Sequence, residues 1–306
     1  MGRNTARRVG TIVYKQNEAV SFELPRNFPI RGILLRMAAD ITIITAAATA
    51  YAQGAVKLIK RIEIIANGRD TLKSIDGPGL AELNRQMNGT VNPLGAVPTA
   101  VGANQLMAAL LKIDFEMPRS VSPSDANLNS YLFSTLELKI TFGAPSDMYS
   151  ANSANVTINS APITVTLLES EGNAGSIVHK VGSTEKEVTA TSTDFQIALP
   201  VGNKFRGFLI RAEVDGNPND SVINKIELRS GTTVFHKWDF TSLKDCNKID
   251  YELESSPTGY VFIDFCPDGF MGEALATAGF SDLTLSFDVT KQTGINKITV
   301  YPVELI

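Results

Sequence analysis

The chain has 306 residues, of which 43% are hydrophobic and 20% charged, and its formal net charge is −4. This composition is ordinary for a soluble globular protein, and the length allows one large domain or two ordinary ones. Two cysteines cannot build a disulfide framework, and two histidines cannot build the histidine clusters of a copper or cupin-type oxygenase. A disulfide-stabilised scaffold and a histidine-rich metalloenzyme are therefore excluded.

The N-terminal segment is basic. Up to Arg36 the chain carries seven basic and two acidic residues, and Arg3, Arg7 and Arg8 fall within its first ten positions. Such an arm can touch anionic lipid or nucleic acid, and it can equally be a solvated tail that aids solubility. No apolar stretch follows it, so we expect no secretory signal, and no later segment offers the about 20 continuous apolar residues of a membrane-spanning helix.

The segment RGILLRMAAD at 31–40 is repeated as RGFLIRAEVD at 206–215, with five of the ten positions identical. Shorter matches follow in the same order: 24–25 with 199–200, 62–64 with 226–228, 113–115 with 263–265, 133–134 with 280–281, and 163–165 with 298–300. The separation between the two members falls steadily along the chain, from 175 residues to 135. A collinear series of this kind indicates an internal repeat whose first copy carries longer loops. We expect the repeated arginines to be strand-edge or interdomain partners rather than substrate ligands.

The two copies contain matching strand patterns. LELKITF at 136–142 and LTLSFDV at 283–289 alternate between apolar and polar residues, as half-buried strands do. Each copy has room for roughly eight strands at the 8- to 12-residue spacing of antiparallel sandwiches. We therefore predict an all-β protein of two tandem eight-stranded sandwiches, at 1–172 and 173–306, with a short inserted helix, long loops and a Gly/Ser-rich junction at 170–176.

The inserted helix is predicted at 76–89. Asp76 can cap its N-terminus, Pro78 suits its first turn, two leucines and a methionine form an apolar stripe, and Gly89 can end it. The uncharged Gly/Pro/Ala segment that follows, at 90–105, is too long to be a simple connector. We expect that segment to have a contact role.

One weak metal pattern is present. The segment DGNPND places Asp215, Asn217 and Asn219 at the alternating oxygen-ligand positions of a calcium loop, but its sixth residue is acidic instead of glycine and its twelfth is not glutamate. We therefore expect an acidic turn between two strands here rather than a calcium site. The chain contains no nucleophile elbow, zinc-protease motif or phosphate loop. We therefore expect neither an enzyme nor a cofactor.

Tandem immunoglobulin-like domains fit this pattern poorly, because Trp238 is the only tryptophan and the first copy has no cysteine. Eight-stranded sandwiches with an inserted helix are nearer to jelly rolls. The chain resembles a double jelly-roll major capsid protein in three features. These are the basic arm, the segment RIEIIANGRDTLKSIDGPG before the helix, and the segment NKIELRSGTTVFHKWDF at the same stage of the second copy. That family builds tailless icosahedral viruses with an internal membrane, in the lineage of the adenovirus hexon. By length the chain is similar to the compact members from corticovirus-like bacteriophages.

The resemblance implies a homotrimer in which six jelly rolls form a pseudo-hexameric capsomer of an icosahedral virion shell. It further implies contacts with neighbouring capsomers and a vertex (penton) protein, assembly in the host cytoplasm, and no specific nucleic-acid recognition. Viral membrane lipid would lie at the inner face, near Arg3, Arg7 and Arg8. The alternative is a tandem β-sandwich adhesin or carbohydrate-binding protein, which would carry an exposed aromatic cluster and usually an export signal.

Overall fold

A computed structural model describes residues 3–89, 93–172 and 174–306. The chain divides into two compact units, the first from 1–85, 91–118 and 122–179 and the second from 86–90, 119–121 and 180–306. The sequence-based boundary lies at 172/173, where residue 173 is outside the described residues. Residues 90–92, at the start of the segment predicted to have a contact role, are outside them as well.

The first unit is built from antiparallel strands that form two main sheets. The strands are Asn4–Ile12 (β1), Ala19–Glu23 (β2), Ile30–Ile43 (β3), Thr49–Ala50 (β4), Ile59–Ala66 (β5), Asp70–Ile75 (β6), Gly102–Asp114 (β7), Leu136–Phe142 (β8), Tyr149–Ala151 (β9), Val156–Ser160 (β10) and Ile163–Ser170 (β11). One sheet has the order β7-β3-β11-β1, and the other has the order β6-β5-β8-β2. Strand β10 extends the first sheet along β3, and β4 pairs with β9.

The second unit repeats this plan. After the short strand His179–Val181 (β12), its strands are Thr184–Glu187 (β13), Ser192–Ala198 (β14), Lys204–Val214 (β15), Asn217–Pro218 (β16), Ile223–Ser230 (β17), Thr233–Asp239 (β18), Tyr260–Asp264 (β19), Leu275–Ala276 (β20), Thr284–Val289 (β21) and Asn296–Leu305 (β22). One sheet has the order β19-β15-β22-β13 and the other β18-β17-β21-β14. Strands β16 and β20 add short pairings to β15.

Eight strands therefore correspond one to one between the units. In chain order, β1, β2, β3, β5, β6, β7, β8 and β11 match β13, β14, β15, β17, β18, β19, β21 and β22, and both sheets keep the same neighbours. The predicted all-β class with two eight-stranded jelly rolls is confirmed. The separation between matching segments falls along the chain because the first unit has longer connections between its strands. These connections contain β4, α1 (Gly54–Lys57), α3 (Pro145–Met148), β9 and β10, which have no equally long counterparts in the second unit.

The alternating segments form strands with the predicted faces. On β8 the apolar residues at 136, 138, 140 and 142 are fully buried, and on β21 those at 285, 287 and 289 are buried in the same way. The second unit packs these side chains against buried residues of β15, β17 and β22, among them Phe208, Ile226 and Val300. Alternation thus predicts the inward face, since successive strand residues point to opposite sides of a sheet.

The inserted helix forms where the sequence places it, as Gly77–Asn88 (α2). The Asp76 carboxylate accepts a hydrogen bond of 2.8 Å from the Gly79 backbone N–H, as an N-cap residue does. Gly89 then adopts a positive φ of 68°, the left-handed conformation that commonly ends a helix. A second helix, Phe240–Asp250 (α4), follows β18 as α2 follows β6, and the sequence interpretation did not predict it.

Candidate functional site

The duplicated RG-L-R segment occupies the centre of a sheet in both units. Strand β3 lies between β7 and β11, and β15 lies between β19 and β22. The register is identical, because Gly32 stands opposite Asp114 and Gly207 stands opposite Asp264. The expectation that these arginines lie on a strand edge is wrong, since both of their strands are hydrogen-bonded on two sides.

The repeated glycine is required by a close backbone approach. A Cβ atom at Gly32 would lie 2.9 Å from the carbonyl oxygen of Ile113, and one at Gly207 would lie 2.3 Å from that of Ile263. Both distances are shorter than real Cβ contacts, and the atom that would have to move is main chain. Glycine is therefore kept at this position in both copies because any side chain would push the paired strand away.

The first arginine of the motif continues the same pairing. The carbonyl of Arg31 accepts the N–H of Phe115 at 2.9 Å, and the carbonyl of Arg206 accepts the N–H of Phe265 at 2.8 Å. Their guanidinium groups reach carboxylates of their own unit: Arg31 lies 2.9 Å from Glu116, and Arg206 lies 3.7 Å from Asp264. Each of these contacts lies within one unit.

Around Arg206 the second unit holds a buried polar network. The Asp264 carboxylate accepts hydrogen bonds from the Tyr251 hydroxyl at 2.6 Å and from the backbone N–H of Cys266 at 2.8 Å. Burial, with the nearby Asp264 charge, raises the pKa of the Cys266 thiol to about 12 and also raises the pKa of Tyr251. Both groups stay protonated at neutral pH, so the network suits a structural role and offers no reactive thiolate.

The second arginine of the motif differs between the units. Arg211 is 5% exposed, its Nε lies 3.2 Å from a Glu213 carboxylate oxygen, and its Nη2 donates to the Thr299 hydroxyl at 3.3 Å. The side chain of its counterpart Arg36 is exposed and makes no hydrogen bond or ion pair with the described residues. The same residue thus has internal partners in one copy and points to solvent in the other.

A helix asparagine clamps the outer strand of this sheet in both units. Asn84 on α2 donates to the Lys112 carbonyl at 2.8 Å and accepts the Lys112 N–H at 3.1 Å. Asn247 on α4 makes the same two bonds to Phe262, at 2.8 and 2.7 Å. Leu80 and Leu243, four residues earlier on each helix, are buried alike. The shared Leu-x-x-x-Asn spacing is the sequence signal from which α4 could have been predicted.

The predicted basic arm is mostly a strand. Residues 4–12 form β1 and pair with β11, so the alternative of a solvated tail is wrong for them. The Arg7 guanidinium binds both carboxylate oxygens of the buried Glu169, at 2.7 and 3.1 Å. Arg8 is exposed and donates to the Thr11 hydroxyl at 3.1 Å, and Arg3, just before β1, is also exposed. Arg7 is therefore engaged within its own unit, whereas Arg3 and Arg8 keep their charge on the surface.

The weak calcium pattern lies on a hairpin. Asp215 and Gly216 have φ values of 47° and 76° and connect β15 to β16 as a two-residue turn, the geometry for which Asp-Gly is favoured. The Asp215 carboxylate accepts the Ile295 N–H at 2.8 Å, and the Asn219 side-chain oxygen accepts the Ser221 N–H at 2.7 Å. Asn217 starts strand β16. The Asp215 and Asn219 oxygens thus accept main-chain N–H groups, as expected for an acidic turn between two strands.

Among the described residues, no group of three or more His, Cys, Asp or Glu side chains is arranged to hold a metal ion. The same part of the chain has no helix that is both long and apolar enough to cross a membrane. The features that the two units share are sheet pairings, glycine contacts and asparagine clamps, and all of these stabilise the fold.

Comparison with known proteins supports the double jelly-roll fold. Residues 178–303 match the family model of the viral coat protein P2 C-terminal domain. The fold is similar to the MCP of the Sulfolobus Turreted Icosahedral Virus (TM-score 0.82, 18% identity, covering 100% of this chain and 97% of that chain). It is also similar to the major capsid protein P2 of bacteriophage PM2 (0.67, 15%, 99% and 98%) and to the PBCV-1 virus capsid (0.66, 10%, 100% and 94%). No curated protein sequence matches the chain.

The structural likenesses extend over both units and establish the double jelly-roll fold, while the family match covers most of the second unit. A tandem adhesin is not favoured by these matches. The chain therefore has the double jelly-roll fold of these major capsid proteins, and its residues 178–303 match the viral coat protein P2 C-terminal domain.

Proposed function

We propose that this chain is a major capsid protein that assembles as a homotrimer, that the six jelly rolls of the trimer form a pseudo-hexameric capsomer, and that such capsomers tile an icosahedral virion shell. The observation that carries the proposal is the duplication itself. Both units keep the same eight strands, the same sheet order and the same register at Gly32 and Gly207. Three chains would therefore supply six nearly equivalent building units, and permanent interfaces of this kind bury on the order of a few thousand Å².

The mass of the purified protein in solution tests the proposal. We expect a particle of three times the 33.0 kDa of one chain at micromolar concentration, resistant to dilution, by light scattering and native mass spectrometry. Negative-stain images should show flat particles with a hexagonal outline. A strictly monomeric protein at these concentrations would contradict the trimer.

In the assembled shell, the partners of the trimer are neighbouring capsomers and a vertex (penton) protein, and assembly takes place in the host cytoplasm. Recognition of specific nucleic-acid sequences is not part of this role, and the net charge of −4 is consistent with that. Shells reconstituted from purified capsomers, with and without added nucleic acid, test this point. A strict requirement for one nucleic-acid sequence would contradict it.

We further propose that the N-terminal edge of the first unit faces the viral membrane, with Arg3 and Arg8 toward anionic headgroups. Each exposed arginine near such a surface contributes about 1 kcal/mol. The double variant Arg3→Gln, Arg8→Gln should weaken binding of the trimer to phosphatidylserine vesicles in flotation assays. Lys225→Gln, an exposed neutralisation on β17, is the control, and Arg7 is left in place because it pairs with buried Glu169. Unchanged flotation of the double variant would rule out this role.

A further inference from the structure

We propose that the first unit binds, through the outer face of its β7-β3-β11-β1 sheet, the exposed side of helix α4 in a second copy of this chain. The inference rests on the proposed trimer and identifies the two surfaces that would hold it together. The outer sheet face is defined by Leu34, Arg36, Ala38, Ala108, Leu110 and Thr164. These residues share one side of the sheet because Ala38 pairs with Ala108, and Arg36 pairs with both Leu110 and Thr164.

The outer sheet face is open in the first unit and closed in the second. Arg36, Ala38 and Ala108 are exposed, and the other three residues are half-buried. In the second unit, the counterparts of Leu34, Arg36, Ala38, Leu110 and Thr164 are all buried. They are Leu209, Arg211, Glu213, Tyr260 and Thr299, with exposures of 0%, 5%, 8%, 1% and 3%. The same surface of the same fold is therefore withdrawn from solvent in one copy of the repeat and left uncovered in the other.

The helix shows the reverse pattern. Aligning the two clamp asparagines places Glu82 and Gln86 of α2 opposite Asp245 and Ile249 of α4. Glu82 is 5% exposed and Gln86 is 0% exposed, although both are polar. Asp245 is exposed and Ile249 is 76% exposed, although isoleucine is apolar. The side of α2 that is buried thus corresponds to an exposed side of α4, where Ile249 is a large uncovered hydrophobic side chain.

The chemistry of the two open surfaces is complementary. Ala38, Ala108 and Leu110 give the sheet face a flat apolar centre into which a single aliphatic side chain such as Ile249 can pack. Arg36 has no polar partner among the described residues, whereas its counterpart Arg211 has a carboxylate. The exposed charged residues on and just after α4 are mainly acidic: Asp245, Asp250, Glu252 and Glu254, with Lys248 as the exposed cation among them. Contact would bring the unpaired arginine toward these carboxylates.

The contact joins two different surfaces, so it is heterologous. Each chain has one open sheet face in its first unit and one open helix in its second, and a heterologous contact repeated from chain to chain either closes into a ring or continues as a filament. Three chains joined in this way would form a ring of six units. A second copy of the chain is the occupant to which these observations point, because the closed and open surfaces are exchanged between two copies of one fold.

One variant on each surface tests the inference. Ala38→Arg places a bulky charge at the centre of the sheet face, and Ile249→Arg does so on the helix. Both positions are exposed, so each chain should still fold. We expect native mass spectrometry to find each variant monomeric at concentrations where the unchanged chain is trimeric, a loss of at least tenfold in trimer affinity. Ala198→Arg, the same change at an exposed alanine on β14, is the control and should remain trimeric with an unaltered melting temperature.

Mixing the two variants shows which surfaces meet. Ala38→Arg keeps an intact helix and Ile249→Arg keeps an intact sheet face, so an equimolar mixture should form heterodimers that cannot grow. If either variant alone stays trimeric while the unchanged chain is trimeric, the inference is wrong and the proposed function stands. Dimers of Ile249→Arg alone would mean that sheet face meets sheet face, and would also overturn it. If the unchanged chain is itself monomeric, the proposed function fails first.

Discussion

Lys73 lies in the interior of the first unit and should make the stability of the protein depend on pH. It is 2% exposed on β6, and its Nζ lies 5.3 Å from the centre of the Phe115 ring. Burial lowers the pKa of Lys73 to about 7, and the attraction of Asp114 opposes this only in part. In the unfolded chain the same amine titrates at its ordinary pKa of 10.5. Between these two values the unfolded chain therefore holds a proton that the folded chain has released.

The size and direction of the effect follow from this difference. A shift of one pKa unit corresponds to about 1.4 kcal/mol, so the cost of burying Lys73 is about 5 kcal/mol at pH 7 and below. The unfolded state binds more protons, so this cost declines as the pH rises and is nearly gone close to pH 10.5. Replacing Lys73 by methionine, which has a similar length and no charge, should therefore raise the free energy of unfolding most at neutral pH and least in alkali.

Urea unfolding at pH 7, 8.5 and 10 measures this directly. The difference between Lys73→Met and the unchanged chain should shrink by roughly 1 kcal/mol or more for each pH unit. Lys225→Met, at an exposed position on β17, is the control and should show no such trend. A difference for Lys73→Met that is constant across the three pH values, or a destabilised variant at pH 7, would refute the reasoning.

Three further predictions concern the contacts that shape the two units. Replacing Asn84 or Asn247 by alanine leaves one N–H and one carbonyl of a buried strand unpaired, and each variant should lose about 2–5 kcal/mol in chemical denaturation; a loss in only one unit would show that the clamps are not equivalent. Arg7→Gln leaves a buried carboxylate without its cation and should cost about 1–3 kcal/mol, whereas Arg8→Gln should change the melting temperature little. Asp215→Asn keeps an acceptor for the turn and should melt like the unchanged chain with or without calcium; a calcium-dependent rise that this variant abolishes would support a metal site instead.

The repeat was predictable because its matching short segments lie on equivalent strands of the two units. Gly32 and Gly207 are kept by the approach of a neighbouring main chain, so their recurrence marks equivalent positions in two sheets. The alternating segments at 136–142 and 283–289 also lie on equivalent strands, because the same face of each is buried in its unit. Helix α4 was missed because its residues are mostly polar, and the feature it shares with α2 is a spacing of one leucine and one asparagine.

The errors concern partners that are distant in the sequence. Arg7 looked like part of a free basic arm because its carboxylate partner, Glu169, lies at the far end of the first unit's sequence. The repeated arginines looked like edge residues because strand order within a sheet is not encoded by any local pattern. Alternation tells which face of a strand is buried, but it does not tell which strands lie on either side.

The amino-acid sequence by itself determined the all-β class, the duplication, the inserted helix and the growth of loops in the first copy, since each rests on local periodicity or on recurrence along the chain. Only the tertiary structure decided the common strand order and the buried ion pairs. It also decided which of two equivalent surfaces is open, because burial depends on what the rest of the chain places against a residue. Arg36 and Arg211 illustrate this difference: the same residue at the same position of a repeated strand is exposed in one unit and enclosed in the other.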